Sequence, residues 1–401
     1  MRAVSKKKLI VLGSVGGGLL FLLLTMLWVR TLSPAFSEWV CRYVARPWIY
    51  VFGHISSIFP FTIYEFCLIA LIIGGITLIV FAIIGLVRKR GKEVLVGLLS
   101  VVIFVLSALD IYTAVAGFSY YRPAPPVPKS EQKYESREVT DIVRYFLDDY
   151  NSLAEKMERD KFGNTISPYT LDELSTVLRK EYARLGSDYY YGYTPRAKGI
   201  LNSWAMTLNN ITGCAFLPFG EPAVNRQTPA SDLVQTMAHE MAHTKGVMRE
   251  GDANFVSYYL LLTSNDDYLR YCGYFSVFYS LLPAVNADSS IKTDYIEMVS
   301  SISPLIRTET SNAVKFWTEK SKQPGFAGFI NRVSEKVGDF VNDLFLKSNG
   351  ANNGSGSYSD KVTDGGSHED HTDPDTGEIH YDVTYSSVQK MFFAIFEQAF
   401  L

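Results

Sequence analysis

Three long apolar runs dominate the first third of the chain, at residues 9–29, 61–87 and 94–118. Each exceeds the roughly 20 residues that carry a helix across a bilayer. The pattern predicts three transmembrane helices within residues 1–121. Downstream the runs shorten and become amphipathic. Apolar positions recur at helical spacing over 136–159, 171–185, 253–263, 267–282, 291–306 and 325–345. Thr170-Leu-Asp-Glu173 opens the second of these as a capping box. Residues 211–218 lean towards a β-strand.

The punctuation divides the rest. Residues 122–128, around Pro123-Ala-Pro-Pro-Val-Pro128, read as a stiff, extended linker off the membrane. Residues 129–346 are long enough for a core of their own. Residues 347–382 are Asn/Gly/Ser-rich and then acidic, with His368, His371 and His380, and read as a flexible, solvated segment. Residues 383–401 end in an apolar helix over 388–400, which docks on the domain or on the membrane. No internal repeat is visible.

Charge orients the membrane part. Arg2 and Lys6 to Lys8 precede the first span, and Arg88-Lys89-Arg90 and Lys92 fill the link between the second and third. Both clusters are expected in the cytoplasm, which turns residues 30–60 and everything after 118 outward. The first run reads as a retained anchor, because two further spans follow it. Between the first two spans, Trp39, Tyr43, Trp48, Ile49, Tyr50 and Phe52 alternate with Arg42 and Arg46. That is either a segment lying on the outer surface or an ordinary aromatic belt. Glu65 and Asp110 sit near outer span ends and read as reaching the headgroups. A net charge of −3 gives no sign of nucleic acid as a partner. Cys214 and Cys272 share the soluble part, where buried apolar roles are favoured over a disulfide.

One motif carries chemistry. His239-Glu240-Met-Ala-His243 is H-E-x-x-H in a helical setting. At i and i+4 the two imidazoles share a helix face and can grip one metal ion. Glu240 stands beside them, placed to act on a water rather than as a ligand. Thr228-Pro229 reads as N-cap and first helical residue, with Asp232 in the first turn and Gly246 as the stop. A zinc site needs a third protein ligand and an open position. Glu250 is the preferred ligand, at the start of the next helical segment. Asp252 is its rival, and Asn254, one turn after Glu250, is an outer-shell orienter.

The motifs resemble a known family. Thr212-Gly213, Phe219-Gly-Glu-Pro-Ala-Val-Asn225, His239-Glu-Met-Ala-His243-Thr-Lys-Gly246, Glu250-Gly-Asp-Ala-Asn-Phe255 and Leu346-Lys-Ser-Asn-Gly350, after three spans, are similar to an uncharacterised bacterial family. That family is catalogued as a domain of unknown function and regarded as candidate membrane-anchored zinc metallopeptidases. The resemblance reaches to about Lys361. The Glu-x-x-Ala-Asn step also resembles gluzincin peptidases, in which the first Glu is the third ligand, and so favours Glu250. The acidic, His-containing insert departs from the pattern and inherits no role.

The expected fold class is a multi-pass membrane protein. It has three N-terminal transmembrane helices and a mainly α-helical, zincin-like α+β extracytoplasmic domain. The expected function is a zinc-dependent metalloprotease at the outer face of the cell membrane, acting on peptide or protein substrates beside the lipid bilayer. His239, His243 and Glu250 are to hold Zn²⁺, and Glu240 is to shuttle a proton from water to the leaving amine. An oxyanion partner is sought among residues 189–193, Tyr258, Tyr259 and Arg196. The opposing class is a zinc-stabilised binding or scaffold domain without catalysis. An intact Glu240 beside an incomplete ligand set argues against it.

Overall fold

The structure, a computed structural model, describes residues 4–190, 192–287, 292–321, 367–372 and 379–400. Among the described residues, three helices are long and apolar enough to cross a membrane: α1 (Lys6–Val29), α4 (Ile63–Val87) and α5 (Gly91–Val115). Helices α1 and α4 both pack on α5. The third span ends at Val115, earlier than the apolar run, and the chain tightens into a 3-10 turn at Gly117–Tyr121. Asp110 is buried near that end, and neither carboxylate oxygen has a partner among the described residues.

Between the first two spans lie α2 (Pro34–Val40), a π-helical turn (Cys41–Ala45) and α3 (Arg46–Ser57). This segment is amphipathic. Ser37, Val40, Cys41, Ala45, Ile49 and Ser56 are buried, whereas Trp39, Tyr43, Tyr50 and Ile55 are exposed. Its buried side does not meet lipid. It packs on the domain that follows, through a small core of Ile49, Val115, Tyr120, Leu217 and Met248.

The remaining helices are α6 (Ser136–Lys156), α7 (Leu171–Arg184), α8 (Ser203–Leu208), α9 (Ala230–Thr244), α10 (Glu250–Leu262), α11 (Asp267–Val277), α12 (Lys292–Ser301), α13 (Pro304–Ser321) and α14 (Ser387–Phe400). A three-stranded sheet, ordered β1-β3-β2, combines β1 (Lys198–Gly199), β2 (Gly213–Phe216) and β3 (Glu221–Val224). β1 runs parallel to β3 and β2 antiparallel to it, which leaves β2 on an edge. The main core joins α6, α7, α9, α10, α11 and α14 through Phe146, Leu178, Met241, Val256, Tyr271 and Phe392. The last helix therefore docks on the domain. Complete burial of a side chain such as Phe392 is worth roughly 1.5–3 kcal/mol.

Several boundaries differ from expectation. The helix over 291–306 is two helices, because Pro304 cannot continue the first and opens the second. Helix α6 stops at Lys156, and Arg159 turns away into a β-bridge with Thr165. Helix α11 ends at Val277 and tightens into a 3-10 turn. The expected flexible segment over 347–382 includes a hairpin, β4 (Ser367–Thr372) against β5 (Ile379–Thr384). Ile379, Tyr381 and Val383 alternate along β5, and that β-forming pattern outweighs the acidic composition. The helix expected over 325–345 lies outside the described residues. The Pro-rich stretch is extended and packs on the domain. Val127 and Ser130 are buried, and Ser130 N donates to Lys390 O.

Candidate metal centre

The centre is built by two consecutive helices. Helix α9 carries the histidines and ends in a Schellman turn. Gly246 N donates to His243 O and Val247 N to Ala242 O, with Gly246 at φ +78°. The turn sends the chain back along α9. Helix α10 starts at Glu250 itself, three residues earlier than the apolar period indicates, so this carboxylate projects from a first helical position. The N-cap of α9 is shifted as well. Pro229 is the cap and Ala230 the first residue, and the Thr228 hydroxyl is buried without a partner among the described residues. Its extended backbone (ψ 145°) lets Pro229 O accept from Leu233 N without a side-chain cap.

The turn brings His239, His243 and Glu250 together, one ligand-type atom from each within 4.8 Å of the others. Glu250 Oε2 lies 3.0 Å from His239 Nε2 and 3.6 Å from His243 Nε2. A tetrahedral zinc with ligand bonds of about 2.0–2.1 Å separates its ligand atoms by about 3.3 Å, so the spacing fits. The far ring nitrogens are each engaged. Asn254 Oδ1 lies 2.9 Å from His239 Nδ1, and Val247 O lies 2.7 Å from His243 Nδ1. Oxygen acceptors at Nδ1 fix that proton and turn the Nε2 lone pairs towards Glu250.

The amide oxygen of Asn254 is also held by Gln235 Nε2 at 3.1 Å. Gln235 also donates to Ser257 Oγ. Sequence reasoning passed over Gln235, although it lies one turn before His239 on the same face. Asp252 is not among the converging groups. Its Oδ2 accepts from Arg249 Nε at 2.5 Å, so as a rival ligand it is engaged elsewhere.

Residues 42–363 match the family described as Protein of unknown function (DUF3810). The chain belongs to that family. No curated protein and no solved structure matches it. The DUF3810 match runs from the π-helical turn through α4 and α5 and includes both helices of the metal centre. The family's description names no activity.

Electrostatics separate the two site carboxylates. Burial opposes the charge on Glu250, yet the two imidazoles overcome it and hold the carboxyl well below the usual carboxylate range. Burial lowers the His243 imidazole, but Glu250 outweighs it and raises the ring to about 9. Glu240 is pushed up to about 7 by burial, against the pull of His239 and His243. No hydrogen bond to its carboxylate occurs among the described residues. It packs on β2, where a Cβ added at Gly213 would fall 2.7 Å from Glu240 Oε1 and 2.8 Å from its Cγ. Glycine at 213 is the condition for Glu240 to lie there.

Strand β2 presents an open edge beside Glu240. Asn225 N donates to Thr212 O, and Pro222, which has no N–H, faces Ala215. Alternation along an antiparallel pair then directs the N–H and C=O of Gly213 and Ala215 away from β3.

The expected oxyanion partners are not gathered at this centre. Arg196 is paired with Asp172, Tyr189 OH donates to Pro123 O, and Tyr193 OH donates to Ser57 Oγ. Residue 191 lies outside the described residues. Among the described residues, no hydrogen bond joins Tyr258 or Tyr259 to the three converging groups. Cys214 and Cys272 are free thiols.

A second carboxylate system ties the centre to the membrane helices. Arg122 donates through Nη1 to Lys245 O (2.9 Å) and Gly246 O (3.0 Å), and through Nε to Glu38 Oε2 (2.6 Å). Glu221 of β3 accepts from Ile63 N and Tyr64 N at the start of α4, and from Lys198 Nζ. Glu65 accepts the amides of Leu201 and Asn202 rather than reaching for headgroups.

Proposed function

We propose that this chain is a membrane-anchored, zinc-dependent metalloprotease with a zincin-like domain. The observation that carries the reading is the pairing of a converged His239–His243–Glu250 set with a buried, unshared carboxylate, Glu240, on the same helix. A structural zinc site closes its fourth position with another Cys or His, and none stands among the described residues near these three. Zinc bound there would act as a Lewis acid and acidify a water.

The chain's own groups supply the remainder. His239 and His243 would ligate through Nε2 and Glu250 through its carboxylate, with Asn254 and Val247 O setting the ring orientations. Glu240 would accept a proton from water at a carboxylate oxygen and carry it to the leaving amine. One C–O bond forms and the C–N bond of the peptide breaks. A raised carboxyl pKa near working pH suits a group that must both take and give that proton. The open edge of β2 would align an extended substrate segment beside Glu240. The positive cluster Arg88-Lys89-Arg90 between α4 and α5, with Lys92 in the first turn of α5, favours a cytoplasmic link and an extracytoplasmic metal domain.

The test uses full-length protein in detergent or vesicles. Glu240→Gln keeps zinc and fold and loses hydrolysis by roughly 10²-fold or more, whereas His239→Ala loses both. Equal cleavage by wild type and Glu240→Gln overturns the mechanism. Loss of zinc from Glu240→Gln assigns Glu240 to structure and favours a binding module.

A further inference from the structure

The edge beside Glu240 leads directly to the membrane. Gly213 of β2 lies against Glu240, and one residue later Cys214 Sγ donates to Tyr64 OH at 3.2 Å. At the far end of the strand the Phe216 ring stacks on the Tyr64 ring, centroids 5.9 Å apart. Tyr64 is the second residue of α4, a 25-residue helix long and apolar enough to cross a bilayer. A strand advances about 3.3 Å per residue. From Gly213 to Phe216 is therefore only about 10 Å, and Phe216 touches the first turn of a bilayer-crossing helix.

Exposed apolar side chains flank this strand. Ile211, two residues before it, and Phe216, its last residue, are each at least 40% exposed. The backbone at Leu201 is bound directly to Glu65, in the first turn of α4. The same end of the membrane part carries the exposed Trp39, Tyr43 and Tyr50, residue types that settle at the level of lipid headgroups. Three independent ties hold this geometry in place. Glu221 caps α4, Glu65 caps the turn into α8, and Trp48 Nε1 donates to Pro218 O at 2.9 Å.

We propose that the substrates are polypeptides anchored in the same membrane and cleaved in the first few residues outside the bilayer, on the metal domain's side. This rests on the hydrolase reading above. A chain leaving the bilayer beside α4 reaches β2 within about three extended residues. Its apolar juxtamembrane side chains match the exposed rim, and its anchor supplies a high local concentration at the edge. A freely diffusing peptide has neither advantage. The position is independent of which side of the membrane the domain occupies.

The experiment reconstitutes zinc-loaded full-length protein in vesicles of phosphatidylcholine and phosphatidylglycerol. The probes are a single-span reporter library with 30 randomised residues outside the bilayer, and the same randomised segments as free peptides. Mass spectrometry locates cleavage, with Glu240→Gln as the control. The expected result is Glu240-dependent cleavage within about five residues of the span. A 20-residue Gly/Ser spacer before the cleaved sequence, or release from the anchor, should lower the rate at least tenfold. In the inactive Glu240→Gln background, Phe216→p-benzoylphenylalanine should photocrosslink the anchored reporter at those same first residues and not the free peptides. Equal Glu240-dependent cleavage of anchored, spaced and free probes overturns this inference and leaves the hydrolase reading standing. No Glu240-dependent cleavage in any format overturns both.

Discussion

Two buried carboxylates, Glu221 and Glu240, show how this molecule separates architecture from chemistry. Both are nearly inaccessible, at 0% and 6% exposure. Glu221 is fully partnered, with Lys198 Nζ at 2.6 Å and the amides of Ile63 and Tyr64 at 2.9 and 3.0 Å. It sits where the dipole of α4 favours an anion, and so it fastens the sheet to a membrane helix. Glu240 has no such partners and faces the two imidazoles instead. A buried acid that is left unshared costs stability, and a fold keeps one where the proton itself has a use.

The comparison breaks if the junction is not architectural. Lys198→Ala leaves Glu221 buried and unpaired, and the expected loss is about 3–5 kcal/mol of stability. Thermal unfolding in detergent measures it. The folded fraction should still bind zinc with wild-type affinity, since neither residue touches the metal centre. A Lys198→Ala protein that melts normally removes the distinction.

On the other side, Glu250→Gln should weaken zinc binding by more than the roughly 10–100-fold typical of losing an outer-shell partner. Asp252→Asn should change it by no more than a few-fold, because Asp252 is held by Arg249. Chelator competition on the two purified variants separates them. Full occupancy in Glu250→Gln would move the ligand elsewhere.

Gly213→Ala sharpens the role of Glu240. The new methyl meets Glu240 Oε1 and Cγ and Thr236 Cγ2 at 2.7–2.8 Å, so the carboxylate must shift. Hydrolysis should fall roughly tenfold or more, since about 1 Å of misplacement suffices for such losses. Zinc content should stay unchanged.

The last expected effect concerns protons. The folded pKa of His243, at about 9, lies above the ordinary value of 6.5. Its proton therefore stabilises the metal-free fold fully below 6.5, and that stabilisation is lost as pH rises through about 9. Zinc requires the neutral ring. Apparent zinc affinity should rise about tenfold per pH unit up to about 9 and then level off. Calorimetry at pH 7 in buffers of different ionisation enthalpy should report about one proton released from His243 on zinc binding. A pH-independent affinity would contradict it.

Much of this was legible from residue order, because the signals are local. Three apolar runs dictate three bilayer-length helices, and the i, i+4 spacing puts His239 and His243 on one face whatever surrounds them. Gly246 stops α9 because only a residue at ease with φ +78° fits there, and Thr170 and Glu173 cap α7 reciprocally. Glu250 and Asn254 were also within reach, lying one turn apart just past that stop.

Tertiary structure alone decided what those helices meet. No local pattern links Gly213 to Glu240, Glu221 to the first turn of α4, or Arg122 to the carbonyls of residues 245 and 246. These contacts join residues about 27, 158 and 124 positions apart, and they depend on packing that no window of sequence contains. For the same reason Glu65 read as a headgroup contact and is in fact a backbone cap, and the aromatic loop, read as a segment on the outer surface or an aromatic belt, also carries a packing face. Sequence determined the helices and the metal-binding residue types, because each rests on bonds within a few turns of chain. The nearness of that centre to the first turn of α4 was decided by long-range burial, which is cooperative and has no local code.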